Sequence, residues 1–269
     1  DLGSHGGTLA RKLAQHRQIG QVLATDPSPE MAQRAGHGGG VLSLASGMEH
    51  VPFARDSLDL VASVASLHWV NDLPGVMVQV REALRPDGLF LAALFGGGTL
   101  AELRAVLTEA ETRLRGGVSP RLSPLPGLAD VAGLMQRTGF ALPVVDSETV
   151  TVRYDNMFRL LADLRGMGEQ AAFPADRTAP LRRDVLEAAA HAYQDRFADP
   201  DGRIRATFQV IWLSGWAPAP SQPQPLRPGS AKTSLAAAVG ATERSAGEKA
   251  GGDRAGDDKA GGEADAGED

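Results

Sequence analysis

Asp1-Leu2-Gly3-Ser4-His5-Gly6-Gly7 opens the chain, and its reading decides the rest. Apolar Leu2 followed by a Gly-rich stretch marks the end of a β-strand running into a sharp turn. Glycine allows such a turn and leaves no Cβ between the backbone and a ligand. Thr8 to His16 then reads as a helix, whose first N–H groups are available to an anionic or polar group. A second apolar run, Gln21 to Thr25, ends in Asp26, 19 residues after Gly7. That spacing holds one helix and one strand. An acidic side chain at such a strand tip can accept from both hydroxyls of a ribose; the alternative is a helix-capping role toward Pro29. The turn is not Gly-x-Gly-x-x-Gly, so a dinucleotide is not favoured. The apolar strand expected before Leu2 is absent and residue 1 is Asp, so the first strand is read as truncated.

Outward from this turn, apolar runs alternate with helical stretches. Ser28 and Pro29 start a short helix to Ala35, as N-cap and first helical residue. Val41 to Ala45 reads as a strand. Pro52 keeps Met48 to Phe53 out of a sheet, having no N–H to donate. Leu58 to Ala65 reads as a strand buried on both faces, and Leu67 to Asp72 follows at its carboxyl end, where open α/β sheets bind ligands. Helices are predicted at Leu73 to Leu84 and, capped by Thr99, to Leu114. Pro86-Asp87-Gly88 turns into a strand over Leu89 to Phe95. Leu128 to Thr138 reads as a helix stopped by Gly139. Leu142 to Val152 reads as a strand bent near Asp146-Ser147, and Asn156 to Gly166 and Ala179 to Tyr193 as helices. Arg205 to Trp216 supplies the last strand. The alternation predicts an α/β domain over residues 1–217, with a mostly parallel seven-stranded sheet and helices on both faces. A helical insertion at about 155–200 is placed to cover the cleft.

Composition narrows the function. No run approaches the length of a membrane span. The absence of cysteine excludes disulfides, thiolate chemistry and Cys-ligated metals. The net charge of −6 lies mostly in 240–269, and no basic stripe interleaved with aromatics supports nucleic-acid binding. Residues 218–240 read as a Pro-rich linker. Residues 241–269, poor in apolar anchors, read as a disordered acidic tail. No two-His-one-carboxylate set stands at recognisable spacing, so no metal site is read.

Together the Asp1–Gly7 turn, Asp26, Val51-Pro52-Phe53, Leu58-Asp59-Leu60-Val61 and Leu84-Arg85-Pro86-Asp87-Gly88 resemble the class I S-adenosylmethionine-dependent methyltransferase fold, which implies a Rossmann-like sheet whose last strand is antiparallel. A narrower resemblance lies in Ser66-Leu67-His68-Trp69-Val70-Asn71-Asp72-Leu73-Pro74, in Phe95 to Leu100 with Glu102-Leu103-Arg104, in Gly116 to Pro120, and in Met157 to Glu169. These stretches are similar to the complex I assembly factor 5 family and its bacterial homologues. The resemblance implies an S-adenosylmethionine site formed by Asp1, Gly3, Ser4, Gly7, Asp26, Pro27, Met48, Ser66 and His68. It also implies a protein substrate: the mitochondrial member is known as an arginine hydroxylase acting on a complex I subunit. It places the protein in a bacterial cytoplasm or a mitochondrial matrix, peripheral to the inner membrane in the second case. Two alternatives are a non-catalytic complex I assembly factor and a malonyl-carrier-protein O-methyltransferase of biotin synthesis.

Two positions depart from the family pattern. His5 replaces the middle glycine of the turn, where its imidazole would crowd the methionine end of the cofactor. Gly47 stands where Asp often accepts from the adenine. No catalytic residue is assigned. His68 and Trp69 read either as a wall beside the sulfonium or as aromatics packed under the next helix. Asp72 reads as a helix N-cap. Tyr154, Asp155 and Glu169 could grip a guanidinium, but surface charge is the simpler reading of them.

Overall fold

The computed structural model describes residues 1–170, 173, 180–223, 230 and 240. The chain divides into two compact units, Asp1–Gln222 and Pro223–Asp269, and the first holds the sheet. The predicted tail at 241–269 lies outside the described residues. The first unit runs on past residue 217 because Ala219 is buried and Gln222 Nε2 donates to the Asp87 carboxylate at 2.8 Å. Residues 218–222 therefore pack as part of the domain and not as linker.

The order is α1 (Thr8–Ala14), β1 (Val22–Asp26), α2 (Pro29–Gly36), β2 (Val41–Ala45), β3 (Leu58–Val64), α3 (Leu73–Ala83), β4 (Leu84–Phe95), α4 (Ala101–Arg115), α5 (Leu128–Arg137), β5 (Ala141–Tyr154), α6 (Met157–Met167), α7 (Arg183–Phe197) and β6 (Ile204–Trp216). β1 pairs parallel with β2, and β3 parallel with β4. β6 lies antiparallel between β4 and β5. Residues 1–4 stitch the two ladders together. Leu2 bridges Thr25 in parallel and donates its N–H to Ala62 at 2.8 Å, while Ser4 donates to Thr25 at 2.8 Å. Among the described residues the result is a mostly helix-flanked α/β sheet of six strands, in ladders of two and four, with the stub at residues 1–4 between β1 and β3.

Local chemistry explains most boundaries. Ser28 caps α2, its Oγ accepting from Met31 N, and Asp72 caps α3, accepting from Gly75 N, both as the sequence predicts. Four details differ. Thr99 does not cap α4; its Oγ1 is bound to the backbone of Gln209 on β6, and Leu100 takes the N-cap position at φ 55°. The Pro86–Gly88 turn lies inside β4, as a register shift between the Leu58–Leu84 and Leu60–Leu89 pairs. β5 pairs without a break from Val144 to Tyr154, and its irregularity lies at Ala141–Val144, where Leu142 has φ 49°. β3 is buried only at its centre, and Val64 is largely exposed.

Besides a small core of Ala10, Val22, Ala24, Ala35 and Val41, two larger ones form because β6 is long enough to serve both. Leu213 and Ile211 join Phe90 and Leu94 of β4, Val76 and Val80 of α3, and Met135 of α5. Ile204, Ala206 and Phe208 instead join Leu103, Val106, Leu107 and Ala110 of α4, Leu160 of α6 and Tyr193 of α7. The α4 set recurs at i, i+3, i+4 and i+7, one face of a helix. The insertion between β5 and β6 thus closes its own core against the sheet and leaves a cavity at the ends of β3 and β4.

Candidate functional site

The turn at residues 3–7 is built as a crossing of backbones. Gly3 has φ +69°, and a Cβ there would stand 2.4 Å from Ser66 Cβ. Gly7 has φ +76°, and a Cβ there would meet Ala35 Cα at 2.5 Å. Each glycine therefore admits a neighbouring segment of the chain itself, Ser66 beyond β3 and Ala35 of α2. Gly3→Ala is expected to cost about 2 kcal/mol from strain and overpacking, measured by urea unfolding. Pairing it with Ser66→Gly should return part of that loss; no recovery would show that the collision is not with Ser66.

Around this crossing the structure gathers Ser4, Asp26, Met48 and Ser66. Asp26 is only 4% exposed. Its Oδ2 accepts from His5 N at 2.8 Å and its Oδ1 from Ser28 N at 2.9 Å. One carboxylate thus fixes both the turn and the entry to α2, and the ribose and capping readings of Asp26 are compatible. Each oxygen keeps a further acceptor site. Met48 reaches over Gly3, its methyl 3.0 Å from where a Cβ would stand. Its loop is held by Glu49, which accepts from the N–H groups of Asn71 and Asp72 at 2.7 and 3.2 Å. These bonds, that from Asn71 foremost, hold the Glu49 carboxyl below the usual range. Ser4 is buried with an unpartnered Oγ.

Asp1 is committed to α1, its Oδ2 accepting from Ala10 N at 3.1 Å. Pro27 is exposed at the end of β1. His68 turns away from the crossing. The departure at His5 has a definite form. Its φ is +48°, and its Nε2 lies 2.8 Å from Ser66 Oγ. Ser66 Oγ also lies 2.7 Å from Gly3 O. A hydroxyl has one proton, so Ser66 donates to Gly3 and the His5 Nε2–H donates to Ser66. The imidazole thus lies across the mouth of the turn. At Gly47 a Cβ would have no neighbour within 4 Å, so that flank is open.

Two residues beyond Ser66, a second feature begins. Leu67–Trp69 form one 3-10 turn that aims His68 into a cavity of about 420 Å³. Trp69, Phe95, Arg104, Arg121 and Glu169 are among its walls. His68 packs edge-on to Phe95, ring centroids 5.1 Å apart. Its Nε2 lies 3.1 and 3.3 Å from the two Glu169 oxygens, with side chains 3% and 18% exposed. Glu169 is therefore no solvated surface charge, which corrects the simpler sequence reading; a partner 101 residues away leaves no local signature. Tyr154 joins the insertion core and Asp155 is exposed, so neither reaches the pair. Arg121 is held by Glu111, whose carboxylate is fully buried. Among the described residues no group of three or more His, Cys, Asp or Glu is placed to hold a metal ion, and no helix is long and apolar enough to cross a membrane.

Comparison with known proteins gives the family. A family model described as a methyltransferase domain matches residues 1–92. The arginine-hydroxylase NDUFAF5, mitochondrial, of Mus musculus is 39% identical over 236 residues, covering 87% of this chain and 68% of that protein. The Homo sapiens protein of the same name matches equally. A malonyl-[acyl-carrier protein] O-methyltransferase of Xylella fastidiosa is 32% identical over 222 residues, covering 81% and 73%. Among solved structures, the YcgJ protein of Bacillus subtilis superposes with a TM-score of 0.54 at 18% identity, covering 81% of this chain and 90% of that one, a likeness of fold alone. With its Gly-rich crossing, the acidic tip of β1 and these relatives, the chain belongs to the class I S-adenosylmethionine-dependent methyltransferase superfamily, in the family of the NDUFAF5 arginine-hydroxylases.

Proposed function

We propose that the protein is an S-adenosylmethionine-dependent enzyme that modifies an arginine side chain of a protein substrate, a complex I subunit, during respiratory complex assembly. It would act in the mitochondrial matrix of a eukaryote or the cytoplasm of a bacterium. The observation that carries this reading is the adjacency of crossing and cavity. Ser66 closes the crossing and His68, two residues on, forms the cavity wall. A cofactor in one and an acceptor in the other would meet at the ends of β3 and β4. The cavity volume falls within the range of small-ligand sites, roughly 300–1,000 Å³.

The residues present fit the cofactor. The remaining acceptor sites of Asp26 suit the ribose hydroxyls, Ser4 Oγ lacks a partner, and no atom stands within 4 Å of a Cβ built at Gly47, on the flank where the adenine would lie. His5 must swing off Ser66 to admit the methionine end. When bound, S-adenosylmethionine supplies an electrophilic methyl group on its sulfonium. The chain's own part is positioning: Ser66 fixes the turn, Trp69 and Phe95 exclude water, and the cavity walls orient the acceptor.

The test is a calorimetric titration of S-adenosylmethionine into the full protein, followed by mass spectrometry of complex I subunits from cells with and without the gene. The expected result is saturable binding, and an arginine that gains the mass of a methylene or an oxygen only when the gene is present. Absence of binding by the folded protein would favour the non-catalytic assembly role, which the His5–Ser66 bond across the turn also suits. Methylation of malonyl carrier protein, as in the Xylella relative's name, would instead make a knockout dependent on added biotin.

A further inference from the structure

We infer that Glu169 is the residue that selects the acceptor, its carboxylate receiving a guanidinium in the cavity, and that His68 is the positioning residue that aims it. The inference rests on the arginine reading above and assigns that reading its recognition element. α6 ends at Gly168, φ 80°, and the reversed chain is closed by bonds from Gly168 N to Arg165 O at 3.1 Å and from Glu169 N to Leu164 O at 2.9 Å. This closure sends Glu169 back toward the end of β3, where His68 meets it. The His68 ring is buried and its Nδ1 has no partner. A proton on both nitrogens would leave a buried, unbonded N–H. The pattern therefore assigns the proton to Nε2, donated to Glu169, with the ring neutral. The pair then carries one negative charge, and a carboxylate that receives a single N–H keeps further acceptor sites.

Glu169 is the single carboxylate among the described cavity walls. Three arginines also line the cavity. Arg121 is paired with Glu111. Arg104 and Arg165 have no ion pair within the described residues, so a carboxylate-bearing ligand is the competing occupant. Arg165 is exposed, where its charge is screened by solvent, and the aromatic rings beside the pair favour a guanidinium. Trp69 and Phe95 flank His68 at centroid distances of 5.6 and 5.1 Å. A guanidinium combines bidentate hydrogen bonds to a carboxylate with stacking on an aromatic face. A carboxylate ligand meets the negative face of the ring quadrupole and gains nothing from it.

The experiment titrates N-acetylarginine amide, N-acetylcitrulline amide and N-acetylglutamate amide into the full protein. It follows the ring nitrogens of His68 by NMR and, in parallel, S-adenosylmethionine binding by calorimetry. The arginine probe is expected to shift the His68 signals saturably, and the isosteric but uncharged citrulline probe is not. Glu169→Gln should weaken the arginine probe roughly tenfold or more, the loss of a charge-assisted bond, with cofactor affinity unchanged. His68→Gln, which retains an N–H donor for Glu169, should keep more arginine binding than His68→Ala. Equal binding of citrulline, binding of the glutamate probe instead, or undiminished arginine binding by Glu169→Gln would each overturn the inference. If S-adenosylmethionine binds and the arginine probe does not, the recognition element is wrong while the enzyme reading stands. If S-adenosylmethionine itself fails to bind, the underlying reading fails. Should Glu169→Gln not fold, the comparison of the arginine and glutamate probes in the unaltered protein still separates the two occupants.

Discussion

Asp26→Ala is expected to weaken S-adenosylmethionine binding by about 140- to 20,000-fold, the loss of two ribose hydrogen bonds to a carboxylate at about 1.5–3 kcal/mol each. The size of the effect follows from how this side chain is held. Its oxygens accept from His5 N and Ser28 N, so it is immobilised before any ligand arrives and loses little entropy on binding. The same bonds give the variant a stability cost of about 1–2 kcal/mol, since two backbone donors lose their acceptor. Asp26→Asn separates the two effects. It keeps one oxygen for a backbone N–H but has no charge, so it should recover part of the stability and little of the affinity. Calorimetry and urea unfolding on the same samples measure both. Unchanged cofactor affinity in Asp26→Ala would remove the ribose role and leave Asp26 a purely structural residue.

Glu111→Gln is expected to destabilise the domain by about 3 kcal/mol, as when one partner of a buried ion pair is removed. Glu111 is fully buried on α4. It accepts from Arg121 Nε at 3.0 Å, Arg115 Nη1 at 3.2 Å and Ser119 N at 2.8 Å. Burial alone would raise its carboxyl, but the Arg121 and Ser119 hydrogen bonds and the charges of Arg121 and Arg115 outweigh it and leave the group below its ordinary value. A carboxyl lowered in the folded state contributes stability that is fully present above its unfolded value, about 4.3. That contribution is lost as pH falls through the lower folded value. The gap between wild type and variant in urea midpoints should therefore be constant near neutrality and shrink below about pH 4. A gap independent of pH into strong acid would refute the ionised pair. Because Glu111 anchors Ser119 and Arg121, and Pro120 to Ser123 line the cavity, the variant should also weaken acceptor binding without touching it.

The elements whose boundaries depend on local chemistry are the ones legible in the chain. Ser28, Pro29 and Asp72 mark helix starts through a side-chain acceptor or a fixed φ, and both are properties of a few adjacent residues. Asp26 is legible because its strand and helix spacing are fixed by geometry. Thr99 misleads for the opposite reason. Its hydroxyl had a choice between its own helix and the Gln209 backbone 110 residues away, and the sheet won. The bulge at Pro86–Gly88 is likewise set by pairing with β3 and not by the turn residues alone.

Periodicity and short-range sterics were enough for the alternation of strands and helices and for the Gly-rich turn with Asp26 beyond β1. The superfamily, with its antiparallel last strand, was legible only through the resemblance of motifs such as Leu84-Arg85-Pro86-Asp87-Gly88. Packing between distant segments was needed for what the glycines admit, Ser66 at Gly3 and Ala35 at Gly7, and for where His5 and His68 point. It also turned Glu169 from a surface charge into the partner of a buried imidazole. Such pairings depend on which segments the sheet order brings together, and a contact across 101 residues is written in the packing of two cores and in no local run of the chain.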